Sequence, residues 1–153
     1  MTTVVLSHQI LVRAPLQTVF NYVSDLTSHP EWSGGELKIE AVTPGPIEVG
    51  KKYRSRGEVA IQKDRPNTVK VSHYEPPYKF AFVANDPDFG KVTHEFMFAE
   101  QNDGVLVART MTVNLNPFVA LGFRFFVYPL IGSPSMNKAM ARLKAKLEEN
   151  NRK

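Results

Sequence analysis

Hydrophobic and polar positions fall into three regimes along the chain. Residues 4–13 (VVLSHQILVR) alternate as a strand does, and Ala14-Pro15 opens a helix with proline in its first turn, where the missing N–H costs nothing. Val19, Phe20 and Val23 give this helix one apolar stripe. Residues 25–32 (DLTSHPEW) predict a second short helix or tight turn, ended by Gly34-Gly35. From 36 to 115 the period is two, and strands are expected at 36–43, 51–61, 67–75, 78–85, 91–100 and 105–115. Turn residues separate them: Pro44-Gly45-Pro46, residues 64–67, Pro76-Pro77, residues 86–90 and Asn102-Asp103-Gly104. After 116 the helical period returns. Ser133-Pro134 reads as N-cap and first helical residue, and Met136, Met140, Leu143 and Leu147 form a stripe to the C-terminus.

Strands joined by connections this short are antiparallel, and helices on one side of one such sheet make an α+β arrangement. No repeat or linker interrupts the pattern, so residues 1–153 are expected to form a single domain. The hairpins carry parity from strand to strand. A two-residue turn at Pro76-Pro77 pairs Glu75 with Tyr78, hence His73 with Phe80 and Val71 with Phe82. One face then carries Val92, His94, Phe96, Phe98, Val107, Arg109, Met111 and Val113. Leu6, His8, Ile10 and Val12 join it from the first strand, and Tyr53, Ser55, Val59 and Ile61 from the third.

This face holds more polar groups than a closed core keeps, and buried polar groups need partners. The candidate ligand-binding set is Tyr53, His73, Phe82, His94, Phe96, Phe98, Arg109, Met111, Met136 and Met140, lining a cavity between sheet and C-terminal helix. His94 and Arg109 are the candidates for chemistry. Arg109 falls opposite Phe98 or Phe96, and His94 is expected at roughly 7–13 Å from it, counting ~3.3 Å per residue, so that the two bracket a ligand without touching. In that arrangement Arg109 holds a carboxylate or enolate oxygen and His94 moves a proton. The competing expectation is that Arg109 pairs with a buried carboxylate and closes the cavity base.

Composition excludes other chemistries. The chain has no cysteine, which removes disulfides, thiolate metal sites and a cysteine nucleophile, and fits a reducing cytoplasm. A formal charge of +4 spread along the chain does not single out nucleic acid. No phosphate loop, zincin or nucleophile-elbow motif occurs, so neither a metal nor a cofactor is expected. Residues 117–132 (PFVALGFRFFVYPLIG) are strongly apolar, but they are shorter than the roughly 20 residues a bilayer requires and are broken by Arg124 and Pro129. No transmembrane segment is expected there. The stretch predicts instead a gate or entry lid, not a rigid helix continuous with 135–150.

Several motifs together resemble the START/SRPBCC superfamily. They are I-x-V-x-A-P-x-x-x-V-F-x-x-V-S-D (Ile10 to Asp25), P-E-W (Pro30 to Trp32) and E-V-G-K-K-Y (Glu48 to Tyr53). Pro-Leu-Ile-Gly (from Pro129) and Ala-Arg-Leu-Lys-Ala-Lys-Leu-Glu (from Ala141) complete the set. The group resembled is that of polyketide cyclase/dehydrase-like and lipid-transport-like proteins. The resemblance implies a helix-grip fold, in which a curved seven-stranded antiparallel sheet wraps a long C-terminal helix, with two short helices after the first strand. It implies binding or transport of a small hydrophobic ligand, whether lipid, polyketide or aromatic. Separately, a cytoplasmic location and a monomer or weak homodimer are expected. The rival readings are a cyclase/aromatase- or dehydratase-like enzyme using Arg109 and His94, and a protein-interaction module with an exposed apolar patch around Phe118 to Tyr128.

Overall fold

A computed structural model describes residues 1–34, 36–59, 62–87 and 90–152, apart from the side chains at 58, 59 and 62. The inward positions expected for Val59 and Ile61 therefore fall outside the described residues. The strands are β1 (Thr2–Val12), β2 (Lys38–Ala41), β3 (Lys52–Val59), β4 (Gln62–Glu75), β5 (Lys79–Asp86), β6 (Gly90–Gln101) and β7 (Gly104–Leu115). They form one antiparallel sheet in the order β1-β7-β6-β5-β4-β3-β2. Every neighbour is a sequence neighbour except β1, which the first helical segment carries away from β2 and which pairs with β7. That segment is α1 (Leu16–Ser24), with Pro15 at its N-cap, followed by a 3-10 turn (Leu26–Glu31) that Asp25 caps through the Thr27 amide.

Registers fix which side chains share a face. Phe82 pairs with His94 and His94 with Met111, while Phe80 pairs with Phe96, Phe96 with Arg109 and Arg109 with His8. Two apolar clusters back this face. The larger holds Phe20, Trp32, Phe80, Phe82, Phe96, Met140, Leu143 and Leu147, and the smaller holds Val4, Leu6, Val113 and Ala120 with Met111, Phe123 and Tyr128 against it.

Three sequence expectations fail, each for a physical reason. The β3–β4 connection lies at 59–62, not at 64–67, because Val59 pairs with Gln62 and Pro66 with Arg56 inside the ladder. β4 has only β3 beside it at Pro66, since its pairing with β5 begins at Thr68, and a strand with one neighbour tolerates a proline. The β4–β5 hairpin closes Glu75 on Lys79 rather than on Tyr78, so Tyr74 faces Phe80 and His73 faces Ala81. An irregularity between Val71 and His73 then restores the Val71–Phe82 pair.

The third correction concerns the C-terminal helix. Ser133 does not cap a new helix: it has helical φ and ψ of −65° and −46°, and residues Pro117–Arg152 form one helical run. The run comprises α2 (Pro117–Gly122), a π-helical stretch (Phe123–Gly132) and α3 (Ser133–Arg152). Pro129 and Pro134 cannot donate backbone hydrogen bonds, and the ladder here widens, with the Ser133 amide donating to the Tyr128 carbonyl five residues back. The segment expected to be a separate gate is thus joined to α3 without a break.

Candidate functional site

The candidate site lies on the inner face where β5, β6, β7 and β1 run side by side. Arg109, on β7, is surrounded by rings. Its guanidinium carbon is 5.3 Å from the Phe96 ring centre and 5.8 Å from that of Trp32. Arg142 of α3 holds the Trp32 loop over the sheet by donating from Nε to the Trp32 carbonyl at 2.9 Å. His29 lies beyond Trp32, 4.6 Å between ring centres, and its Nε2–H donates to the Val23 carbonyl at 2.7 Å.

Arg109 has no carboxylate partner among the described residues. Its Nη2 instead donates to Nδ1 of His94 at 3.4 Å. The pair was expected to stand well apart. It meets because His94 and Arg109 are diagonal neighbours on adjacent strands, a separation that a long arginine side chain spans. His94 also stacks on Phe82, with ring centres 4.7 Å apart and planes 13° from parallel.

The direction of this bond assigns the tautomer. A guanidinium only donates, so Nδ1 of His94 is the acceptor and its ring proton sits on Nε2. Nε2–H has no partner among the described residues. Burial foremost, then the charge on Arg109 and the nearby His29, hold the His94 pKa well below its ordinary range, which keeps the ring neutral. His29 is pushed down to about 4, again chiefly by burial. Arg109 is lowered by burial to about 10 and stays cationic at neutral pH.

His8 closes the ring of polar groups from β1. Its Nδ1 meets Asn137 Oδ1 at 3.1 Å and its Nε2 meets the Tyr128 hydroxyl, which ties the π-helical stretch and α3 to the sheet. The site is therefore rich in donors, with one cation, neutral imidazoles and no acid in hydrogen-bond contact with Arg109 or His94 among the described residues. Two further donors, Arg109 Nε–H and Trp32 Nε1–H, are buried without an acceptor among the described residues. Among the described residues no three His, Asp or Glu side chains converge on a metal-sized site.

Of the residues selected from sequence, Phe82, His94, Phe96 and Arg109 come together, and Met111 is paired with His94. Met140 is buried in the larger cluster and Met136 is half-buried one turn before it. Phe98 is buried against Phe20, with ring centres 5.3 Å apart, toward α1. Tyr53 is buried three strands from Phe96, under Lys51, and burial raises its hydroxyl pKa to about 12. It lines a separate cleft of about 580 Å³ with Lys52, Arg54, Lys70 and Lys91. His73 does not belong to the site. The shifted hairpin turns it outward, 39% exposed, with Nε2 3.2 Å from Glu75, and Tyr74 takes the inward place against Phe20.

Sequence reasoning missed His29, Trp32, Tyr128 and Asn137 as site residues. Trp32 carried a usable signal, being the lone tryptophan in a polar turn. The others had none, because each reaches the site from another element.

A curved antiparallel sheet gripping a C-terminal helix, with a polar cluster on its inner face, defines the helix-grip class. The chain belongs to the polyketide cyclase / dehydrase and lipid transport family, whose model matches residues 3–148. A comparison with curated protein sequences finds no match. Solved structures share the fold. BexL, a di-domain ARO/CYC from the BE-7585A biosynthetic pathway, is 16% identical with a TM-score of 0.73, over 95% of this chain and 50% of its own. StfQ, a di-domain ARO/CYC from the steffimycin biosynthetic pathway, is 14% identical with a TM-score of 0.71, over 97% and 52%. Ms6760 from Mycobacterium smegmatis is 13% identical with a TM-score of 0.68, over 95% and 92%. The chain spans about half the length of the two di-domain proteins.

Proposed function

We propose that the chain acts as one domain that binds a small, largely apolar molecule carrying a carbonyl, enolate, phenolate or carboxylate oxygen, that Arg109 holds that oxygen, and that His94 lines the same site. The observation that carries this reading is a desolvated guanidinium with no carboxylate beside it among the described residues. An unpaired buried charge is destabilising by several kcal/mol, a cost a structural role does not explain. Arg109 and His94 also keep part of their surface accessible although they lie deep in the protein, which supports a space beside them. Phe82, Phe96 and Trp32 supply apolar walls, the guanidinium supplies donors for the oxygen, and His94 Nε2–H, on the far side of its ring, supplies a donor for a second polar group.

An enzymatic reading draws on the same tautomer. Neutral and with its proton on Nε2, His94 is placed to stabilise a developing enolate oxygen by hydrogen bonding, as a cyclisation requires, without transferring that proton and without acting as a base through that nitrogen.

The test is binding of 3-hydroxy-2-naphthoate, followed by fluorescence, with naphthalene as the oxygen-free control. Arg109→Met is expected to weaken hydroxynaphthoate at least tenfold, about 1.4 kcal/mol, and to leave naphthalene unchanged. Equal loss of both probes, or unchanged hydroxynaphthoate affinity, defeats the assignment.

A further inference from the structure

The segment ahead of α3 presents an apolar surface that the fold does not use. Phe118 is 87% exposed, Leu130 74% and Phe126 67%, and Leu121, Phe125 and Ile131 are exposed beside them. No residue of the π-helical stretch is buried, and only 6% of the apolar window in this helical run lies inside the protein. Isolated exposed hydrophobes are ordinary, but a contiguous aromatic patch marks a contact surface.

The chemistry of the patch selects its occupant. Its apolar side chains are spread around the helix instead of along one stripe, so a single flat protein face cannot cover them, whereas immersion in an apolar medium can. The charge pattern agrees. No acidic residue occurs between Asp103 and Glu148, a stretch that includes Arg109, Arg124, Lys138, Arg142, Lys144 and Lys146. Arg124 sits within the patch against the Phe125 ring, and Lys138 is exposed on α3 a few turns further on.

From these observations we infer that residues 117–132 dock the protein on an anionic lipid surface, with the aromatic side chains entering the acyl boundary and Arg124 and Lys138 meeting lipid phosphates. The segment enters without spanning. From Phe118 to Ile131 it extends about 20 Å at 1.5 Å per residue, short of the roughly 30 Å hydrocarbon layer. The helix beyond it cannot extend the span, because α3 is packed on the sheet through Ala139, Met140, Leu143 and Leu147. Docking would bring the membrane to the candidate site, since Tyr128, inside the segment, bonds to His8, which is paired with Arg109. The inference stands apart from the oxygen-binding reading, since the docking surface does not use Arg109 or His94.

Flotation with phosphatidylcholine vesicles, with and without phosphatidylglycerol, tests it. The protein is expected to float with the phosphatidylglycerol vesicles. Phe125→Ser with Phe126→Ser should reduce partitioning about tenfold or more, because two aromatic side chains no longer leave water. Arg124→Glu with Lys138→Glu should remove the preference for phosphatidylglycerol. Circular dichroism melts of both double variants should match wild type, and Arg109→Met should float as wild type does. The inference is overturned if neither vesicle type carries the protein, or if the serine variant floats unchanged. It is equally overturned if sedimentation velocity shows a lipid-free dimer that the serine substitutions dissolve, which would make a second copy the occupant.

Discussion

Arg109 Nη2 donates to His94 Nδ1 at 3.4 Å, and through this contact the one buried cation of the site sets the tautomer of its neighbouring imidazole. The contact joins β7 to β6 on the diagonal, from a residue paired with Phe96 to one paired with Met111. Its consequence is directional. The His94 proton is on the nitrogen facing away from Arg109, where no described residue receives it.

Arg109→Met should leave the fold as stable as wild type or make it more stable, by up to about 3 kcal/mol, because a desolvated charge without a carboxylate is replaced by an apolar chain of similar length. Urea denaturation at pH 7 measures this. A loss of more than about 2 kcal/mol would show that Arg109 serves the fold through Trp32 and Phe96, and would count against a ligand role.

His29 makes stability depend on pH. Unfolded, it takes a proton near 6.5; folded, burial holds it to about 4. Within that window the unfolded state binds the extra proton, so this contribution to stability is complete above about pH 6.5 and lost as pH falls toward 4. At about 1.4 kcal/mol per pH unit the loss reaches roughly 3 kcal/mol. His29→Gln retains a donor for the Val23 carbonyl but does not titrate. Its stability should fall less steeply between pH 6.5 and 4 than that of wild type, and parallel curves would contradict the assignment.

Tyr128→Phe removes the hydroxyl that bonds to His8 and should loosen the π-helical stretch alone. Hydrogen exchange is expected to rise about fivefold over 117–132, the equivalent of roughly one net hydrogen bond, with little change over 139–147. In wild type the exposed π-helical stretch should already exchange faster than the buried turns of α3. Uniform protection along the whole run would argue against a separable segment.

Gly104→Ala should destabilise the β6–β7 turn. A Cβ at Gly104 would collide with the carbonyl oxygen of Val12, a backbone atom held in place by the β1–β7 ladder. The expected cost is about 2 kcal/mol, read as a lower urea midpoint at unchanged slope.

Period and turn chemistry alone settled most of the architecture. Alternation over 36–115 gave the strands, and the parity of β6, β7 and β1 placed His94, Phe96, Arg109, Met111 and His8 on one face, as the ladder registers show. Parity survives because side chains alternate strictly wherever no residue is inserted. At β4 one irregular position broke it, which is why His73 was read as inward and Tyr74 was not.

Tertiary structure decided what the sequence left open. The distance between Arg109 and His94 depended on register and on the reach of a flexible side chain, and neither is written in spacing. Trp32, His29, Tyr128 and Asn137 join the site from a loop and a distant helix, brought there by packing of the whole chain. The run 117–152 stayed helical through two prolines because a widened ladder absorbs missing donors, an option that local propensity does not encode. Sequence determines which residues can share a face; only the closed fold determines which of their atoms meet.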